Sequence, residues 1–293
     1  MSPELHRRLS RSGLQAELRP DSIGGDGFTL LIDGGEQSHV FIDDPRSLRF
    51  DYLRRIANLA DRLAPSGAPL RVLHLGGGAL TLARYLASTR PGSPQTVLEY
   101  ERDLLDFVAG VVPLPEGIDL DVIIDDARAG LGRASEAAAY DLIVADVYLG
   151  PATPPHLMSV EFYALVDALL DDGGVLAVNV ADDRGLPVAR AAAATLAAVF
   201  PLVVVAGPLG LTEQLDEGNA VLFASRWAGL AALEGALLTA GPHPSGVVGH
   251  GRLTGFIGDA VAVRDATVRD AVVRDAAVGD ATVGDATIQD ARG

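Results

Sequence analysis

The feature that most constrains the fold is a regular alternation of short apolar runs and helical stretches that begins at Leu70. The first run, residues 71–75, leads straight into three consecutive glycines and then into a helical stretch at residues 79–87. Further strands are predicted at residues 96–100, 120–124, 141–145, 175–180, 202–206 and 220–225. Short apolar strands separated by helices are typical of a mainly parallel sheet with helices on both faces. We therefore predict an α/β fold with a Rossmann-like sheet.

The N-terminal part of the chain has a different pattern, with β-type runs at residues 14–19, 28–33 and 37–42. Gly34 and Gly35 separate the last two runs, and a glycine pair between two such runs predicts a hairpin. We expect a β-rich subdomain over residues 1–48, followed by the α/β domain over residues 49–240.

The C-terminal part is repetitive. After a Gly- and Pro-containing linker from residue 241, an Asp-Ala-x-Val/Ile unit recurs every five residues between Asp265 and Asp290. A period of five matches neither a helix nor a strand, because it moves the apolar position around a helix and flips it between the faces of a strand. A pentapeptide-repeat β-helix is one interpretation. We favour a flexible, low-complexity tail within residues 241–293.

The composition limits the classes of site and partner. The chain has no cysteine, and its six histidines show no metal-binding spacing, so we expect no protein-bound metal. The net charge of −16 disfavours nucleic acid and anionic membranes and suits a cationic ligand such as a polyamine, unless the acidic surface only keeps the protein dispersed. No apolar stretch approaches the roughly 20 residues of a membrane helix, and the N-terminus lacks a signal-peptide pattern, so we expect a cytoplasmic protein.

Polar residues and glycines follow the predicted strands at the points where the strands end. Glycines at residues 76–78 follow the first strand, Glu99 ends the second, Asp126 follows the third and Asp146 the fourth. Ligands of parallel sheets bind beyond the carboxyl ends of the strands, and glycines let the backbone approach them. An acid 21 residues beyond the last of these glycines is placed to accept hydrogen bonds from a ribose diol. Helix capping is the alternative role for Asp126 and Asp146.

A NAD-binding Rossmann domain is the rival interpretation of the glycine loop. The loop reads Gly-Gly-Gly-Ala-Leu-Thr from residue 76, so it does not supply the third glycine of the GxGxxG motif. The NAD interpretation is therefore disfavoured.

Several short motifs occur along the core of the chain in a fixed order. They read Val-Leu-His-Leu-Gly-Gly-Gly from residue 72, Val-Leu-Glu-Tyr-Glu from 97, Asp-Asp-Ala-Arg from 125, Tyr-Asp-Leu-Ile-Val-Ala-Asp-Val-Tyr from 140, Glu-Phe-Tyr from 161 and Asp-Gly-Gly-Val-Leu-Ala-Val-Asn from 172. Their order and spacing resemble those of spermidine synthases and their relatives, over residues 28–225. The resemblance implies a seven-stranded methyltransferase sheet, an N-terminal β-structure that forms a lid, a homodimer, and S-adenosylmethionine or its decarboxylated form as co-substrate.

The resemblance also implies roles for individual residues. It assigns the cofactor site to Gly76, Gly77, Gly78, Glu99, Asp126 and Ala127. Glu99 would bind the ribose and Asp126 the adenine amino group, while Gln37 would lie near the substrates. Asp146 would be the catalytic base, assisted by Tyr148, because amine transfer needs a carboxylate that orients the amine and accepts its proton.

Two places differ from the pattern of spermidine synthases. Where those proteins have Gly-Gly-Gly-Asp-Gly, this chain has Ala79 and Leu80, so an acid expected at the amino end of the cofactor is missing. The loop after the fourth strand has Leu149 and lacks the second acid that would bind a polyamine. His156, which follows two prolines, is either a second base or a structural residue.

Three functions follow from these observations. The first is a transferase that moves an aminopropyl group to a small amine. The second is a methyltransferase that uses S-adenosylmethionine. The third is a non-catalytic module that keeps the nucleoside pocket as a sensor and uses the repetitive tail for interaction.

Overall fold

The computed structural model describes residues 5–22, 26–136, 138–149, 152–213 and 217–268. The repeats that follow residue 268 lie outside the described residues. The predicted flexible tail and the alternative β-helix both concern those repeats. The described part of the chain contains two sheets.

The N-terminal sheet is antiparallel and has the strand order β1-β2-β3-β4. Its strands are β1 (His6–Arg8), β2 (Gln15–Pro20), β3 (Gly27–Ile32) and β4 (Gly35–Phe41). Asp33 and Gly34 connect β3 to β4, and both have positive φ angles, 47° and 82°. Two such residues form the turn whose twist matches a two-residue hairpin. The predicted hairpin is therefore present.

The main sheet has eight strands in the order β12-β10-β11-β9-β8-β5-β6-β7. Its strands are β5 (Val72–Leu75), β6 (Gln95–Glu99), β7 (Leu120–Ile124), β8 (Tyr140–Ala145), β9 (Leu170–Asp182), β10 (Leu202–Pro208), β11 (Gly218–Ser225) and β12 (Ser245–Val248). Strands β5 to β9 pair in parallel, whereas β10, β11 and β12 pair antiparallel. The prediction of a methyltransferase-type α/β sheet is confirmed, with one strand more than the seven expected.

Helices cover both faces of this sheet. They are α1 (Asp51–Leu63), α2 (Thr81–Thr89), α3 (Arg102–Val111), α4 (Leu131–Ala134), α5 (Val160–Asp167), α6 (Pro187–Ala197), α7 (Gly229–Ala232), α8 (Glu234–Ala240) and α9 (Leu253–Ile257). One apolar cluster joins α5, α6 and α9 to one face, and another joins α1, α2 and α8 to the opposite face. Among the described residues, no helix has both the length and the apolar character that crossing a membrane requires.

The prediction of a linker from residue 241 is wrong for residues 245–257, which contain strand β12 and helix α9. Strand β12 pairs with β10, and Val247 and Val248 are buried there. Leu253 and Phe256 of α9 are buried in the core. Residues 245–257 therefore belong to the main domain. The four-residue strand lies between glycines and prolines, so it has too little local periodicity to be recognised without its distant partner.

Candidate active site

A cavity of about 850 Å³ lies at the carboxyl ends of the parallel strands, between the main sheet and the N-terminal sheet. Its lining includes all nine residues proposed from the sequence, which are Gln37, Gly76, Gly77, Gly78, Glu99, Asp126, Ala127, Asp146 and Tyr148. The strand ends that the sequence pattern predicts to share one edge therefore do share one cavity.

The glycine loop after β5 is closely packed against the end of β8. Gly76 has a φ of +91°, and a Cβ atom there would lie 2.3 Å from the main-chain oxygen of Asp146. A Cβ atom on Gly77 would lie 2.9 Å from the side chain of Leu105. Gly76 therefore requires glycine, whereas a side chain at Gly77 would have to displace the end of the Leu105 side chain. The bare backbone of both residues forms part of the cavity wall.

The Glu99 carboxylate is fixed beside this loop. Its Oε2 accepts a hydrogen bond from the Gly77 amide and its Oε1 accepts one from the Glu101 amide, both at 2.8 Å. Burial raises the pKa of Glu99, and the two backbone hydrogen bonds oppose that rise. Each oxygen keeps a lone pair for a further donor, so the buried carboxylate suits the two hydroxyls of a ribose.

Asp126 stands at the turn after β7, where it also caps the backbone. Its Oδ1 accepts hydrogen bonds from the Arg128 and Ala129 amides, at 3.0 and 3.1 Å. Its Oδ2 lies 2.8 Å from Nε2 of His156. Partial burial would raise the pKa of Asp126, but these hydrogen bonds outweigh it and hold the pKa below its usual value. The capping role and a place in the cavity wall are thus compatible.

Asp146 follows β8 and lies deep in the cavity. The Asn179 side-chain amide donates a hydrogen bond of 2.8 Å to its Oδ1, and the Tyr52 hydroxyl forms a second hydrogen bond to the carboxylate. Burial raises the pKa of Asp146, while these two donors partly offset the rise. The result is an oriented carboxyl group that is more basic than an exposed aspartate.

Tyr148 lies near Asp146, whereas Gln37 contacts Tyr52, a neighbour of Asp146. The Tyr148 hydroxyl accepts a hydrogen bond of 2.7 Å from the Ala181 amide and lies 3.2 Å from the Asn179 carbonyl. Burial raises the pKa of Tyr148, so the phenol stays neutral. Its two backbone contacts join the loop after β8 to β9. The main-chain carbonyl of Gln37 lies 3.2 Å from the Tyr52 hydroxyl and is the alternative acceptor for the one hydrogen that this hydroxyl can donate to Asp146.

The two positions that differ from spermidine synthases have different environments. Ala79 is fully buried in an apolar cluster between the N-terminal sheet and α3, and it does not line the cavity. Leu149 is exposed by 53% and contributes an apolar side chain to the cavity. Neither place provides a negative charge for an ammonium group.

Sequence reasoning missed Tyr52, Glu101 and Asn179, which all line the cavity. Tyr52 lies on α1, where its position in the sequence is typical of a buried core residue. Asn179 is a polar residue in the otherwise apolar run of β9, a pattern that was a usable signal because buried amides need partners. Within the described ranges, no group of side chains has the arrangement of a metal site.

Comparison with known proteins gives relatives of two kinds. The chain is 34% identical over 177 residues to a polyamine aminopropyltransferase of Mycobacterium tuberculosis, covering 56% of this chain and 31% of that protein. It is 32% identical over 165 residues to an N-terminal histidine N-methyltransferase of Emericella nidulans, covering 55% of this chain and 29% of that protein. The match thus spans less than a third of either relative's length. No family model matches the chain.

A solved structure is similar over almost its whole length. It is the crystal structure of a probable spermidine synthase from Corynebacterium glutamicum, with a TM-score of 0.77 and 28% identity. The similarity covers 89% of this chain and 95% of that one. The two proteins therefore share one fold over almost the whole of that structure.

Proposed function

We propose that this chain, which is spermidine synthase-like in sequence and has a methyltransferase-type fold, is a transferase that moves an aminopropyl group from decarboxylated S-adenosylmethionine to a small amine. The observation that carries the proposal is that one cavity holds both a fixed ribose-type carboxylate, Glu99, and a separate buried carboxylate, Asp146. Helix capping alone does not explain why Glu99 and Asp146 both lie in this cavity.

The nucleoside half of the proposed site consists of the glycine loop, Glu99 and Asp126. Glu99 accepts the ribose hydroxyls, and Asp126 accepts a hydrogen from the adenine amino group beside Ala127. The glycine loop supports this arrangement, since its bare backbone lines the cavity and its Gly77 amide binds the Glu99 carboxylate.

The chemical half centres on Asp146. Transfer forms a bond between the acceptor nitrogen and the propyl carbon attached to sulfur, and it breaks the carbon–sulfur bond, whose electron pair stays on the sulfur of methylthioadenosine. The acceptor nitrogen loses a proton, which the Asp146 carboxylate takes. Its raised pKa supports this role, because a base works best when its pKa approaches the operating pH.

The acceptor in this proposal is a small amine rather than a long polyamine. Asp146 is the buried acid of this half of the cavity, and its neighbours Tyr52, Asn179 and Tyr148 are neutral. The apolar Leu149 occupies the loop in which spermidine synthases carry a second acid. Glu36 also lines the cavity, but it is exposed, and one buried anionic contact suits one ammonium group.

Methyl transfer from S-adenosylmethionine is the second candidate. The similarity to an N-terminal histidine N-methyltransferase favours it. The apolar surroundings of Ala79 are neutral between the two reactions, since they supply no charge for the end of the co-substrate where its two forms differ.

Calorimetric titration with S-adenosylmethionine, its decarboxylated form and methylthioadenosine tests these alternatives. We expect methylthioadenosine and the decarboxylated form to bind, with the decarboxylated form preferred over S-adenosylmethionine. Preference for S-adenosylmethionine would instead support methyl transfer. If none of the three bound, both transferase proposals would be wrong, and binding without turnover of any amine would support a nucleoside sensor.

A further inference from the structure

The chain segment after α9, residues 259–268, crosses the helices of one face and ends beside the candidate adenine pocket. We call it the C-terminal strap. The Val160 amide donates a hydrogen bond of 2.9 Å to the Val263 carbonyl, and the Val263 amide donates one of 2.9 Å to the Thr195 hydroxyl. These contacts hold the middle of the strap against α5 and α6.

The end of the strap carries the first aspartate of the five-residue repeat. The Arg128 guanidinium donates two hydrogen bonds to the Asp265 carboxylate, at 2.8 and 2.6 Å. The Asp265 amide donates a third hydrogen bond, of 3.0 Å, to Glu161 on α5. The two paired side chains are only 25% and 21% exposed, so this is a bidentate pair that solvent screens weakly.

Arg128 also contacts Asp126, the proposed adenine-binding residue. Its backbone amide donates to Oδ1 of Asp126, and its guanidinium donates to the His156 carbonyl at 3.2 Å. His156 in turn contacts Oδ2 of Asp126 at 2.8 Å. The Arg128 amide thus binds one carboxylate oxygen of Asp126, and His156, whose carbonyl Arg128 contacts, binds the other.

We propose that Asp265 is a positioning residue for base recognition, which makes the first repeat of the C-terminal series part of the adenine pocket. Asp265 fixes the Arg128 side chain, and Arg128 fixes both the turn and the histidine loop that aim the Asp126 carboxylate. The proposal rests on the proposed nucleoside site. It also gives His156 a role as a partner of Asp126 rather than as a base.

A second aspartate–arginine pair on the same strap, with the aspartate exposed, provides a control. Asp259 pairs with Arg190 on α6, and Arg190 also donates to the Ile257 carbonyl. Neither Asp259 nor Arg190 lines the cavity. Asp259→Asn thus removes an aspartate–arginine pair from the strap without touching the turn at Asp126.

The test is calorimetric titration of the full chain with methylthioadenosine and with methylthioinosine, in which an oxo group replaces the adenine amino group. We expect Asp265→Asn to weaken methylthioadenosine binding roughly three- to thirtyfold, the range seen when a residue acts on a site through its neighbours. Methylthioinosine binding should change much less, so the preference for adenine should fall. Asp259→Asn should leave both affinities and their ratio unchanged.

Two further variants separate positioning from general stability. Asp265→Glu keeps the charge and should recover part of the preference for adenine. Arg128→Gln combined with Asp265→Asn should cost no more than Arg128→Gln alone, because both act through one contact. Equal loss of both nucleosides in Asp265→Asn, or behaviour identical to Asp259→Asn, would overturn the proposal. Absence of nucleoside binding by the unaltered chain would instead contradict the proposed function.

Discussion

The side-chain amide of Asn179 donates a hydrogen bond of 2.8 Å to Oδ1 of Asp146. Asp146 follows β8 and Asn179 lies within the neighbouring strand β9, so the contact holds the carboxylate in one orientation between the two strands. Asn219 donates a hydrogen bond of 3.1 Å to the Asn179 side-chain oxygen, which fixes which end of that amide faces Asp146. The side-chain amides of Asn219 and Asn179 thus hold the proposed base, Asp146, in position.

Asn179→Ala should move the acid limb of the activity profile to higher pH. The amide hydrogen bond lowers the pKa of Asp146 against the effect of burial, so its loss raises that pKa further. Turnover should fall most at acidic pH and recover partly as the pH increases. Asn58→Ala, whose side chain bonds to the Gly241 carbonyl outside the cavity, is the control for the profile. An unchanged acid limb would show that Asn179 does not act through Asp146.

Asp146→Asn should abolish turnover while methylthioadenosine affinity stays within a few-fold. The variant should also unfold at higher denaturant concentration at neutral pH. Burial raises the folded-state pKa of Asp146 above the ordinary value of 3.8, so the stabilising protonated state is lost as the pH rises through the folded-state pKa. The advantage of the asparagine should therefore shrink as the pH falls through that raised folded-state pKa, and it should be smallest below about pH 4. Asp121→Asn, an exposed change on β7, should alter neither property.

Glu99→Gln should weaken nucleoside binding itself. Both oxygens of the carboxylate accept backbone hydrogen bonds, so an amide nitrogen in place of one oxygen faces a donor and loses an acceptor for the ribose. We expect affinity for methylthioadenosine to fall at least about tenfold, the effect of losing one charge-assisted hydrogen bond. Glu116→Gln, on the exposed loop before β7, serves as the control in the same titration. Equal affinity of Glu99→Gln and the unaltered chain would remove Glu99 from the proposed site.

Leu80→Gly should be more stable than Leu80→Ala, which reverses the usual order in a helical segment. Leu80 is buried with a left-handed φ of 58°, so either change loses its packing, but only glycine relieves the backbone. The difference should be about 1 kcal/mol in the free energy of unfolding. Urea denaturation measures it, and a more stable alanine variant would contradict the left-handed conformation.

Arg90→Met should destabilise the fold without changing nucleoside affinity per folded molecule. The buried guanidinium donates four hydrogen bonds to main-chain carbonyls at and beyond the end of α1, those of Ala60, Ala64, Pro65 and Ala68. Leaving them without donors should cost about 3 kcal/mol. Arg102→Gln, which changes an exposed arginine, should stay within about 0.5 kcal/mol in the same denaturation experiment.

Local patterns account for the part of the fold and site that could be predicted. A strand that ends in glycines or an acid can be recognised from a few neighbouring residues, and parallel pairing then brings those ends to one edge. This is why the sequence alone predicts that Gly76, Glu99, Asp126 and Asp146 lie at one edge of the sheet.

Contacts between distant residues account for the rest. Asn179 lies 33 residues from Asp146, and Asp265 lies 137 residues from Arg128, so neither partner marks the other in the sequence. Strand β12 is likewise defined by β10 rather than by its own four residues. Tertiary pairing, not local propensity, decides these features.

The five-residue period has a consequence for insertions and deletions at the anchored end of the strap. A whole unit added after residue 268 leaves Asp265 and its place against Arg128 as they are. Deletion of the unit that begins at Asp265 would bring Asp270 into the same place, because each unit begins with the same Asp-Ala pair. The chain can thus gain or lose whole units here while an aspartate remains opposite the same arginine.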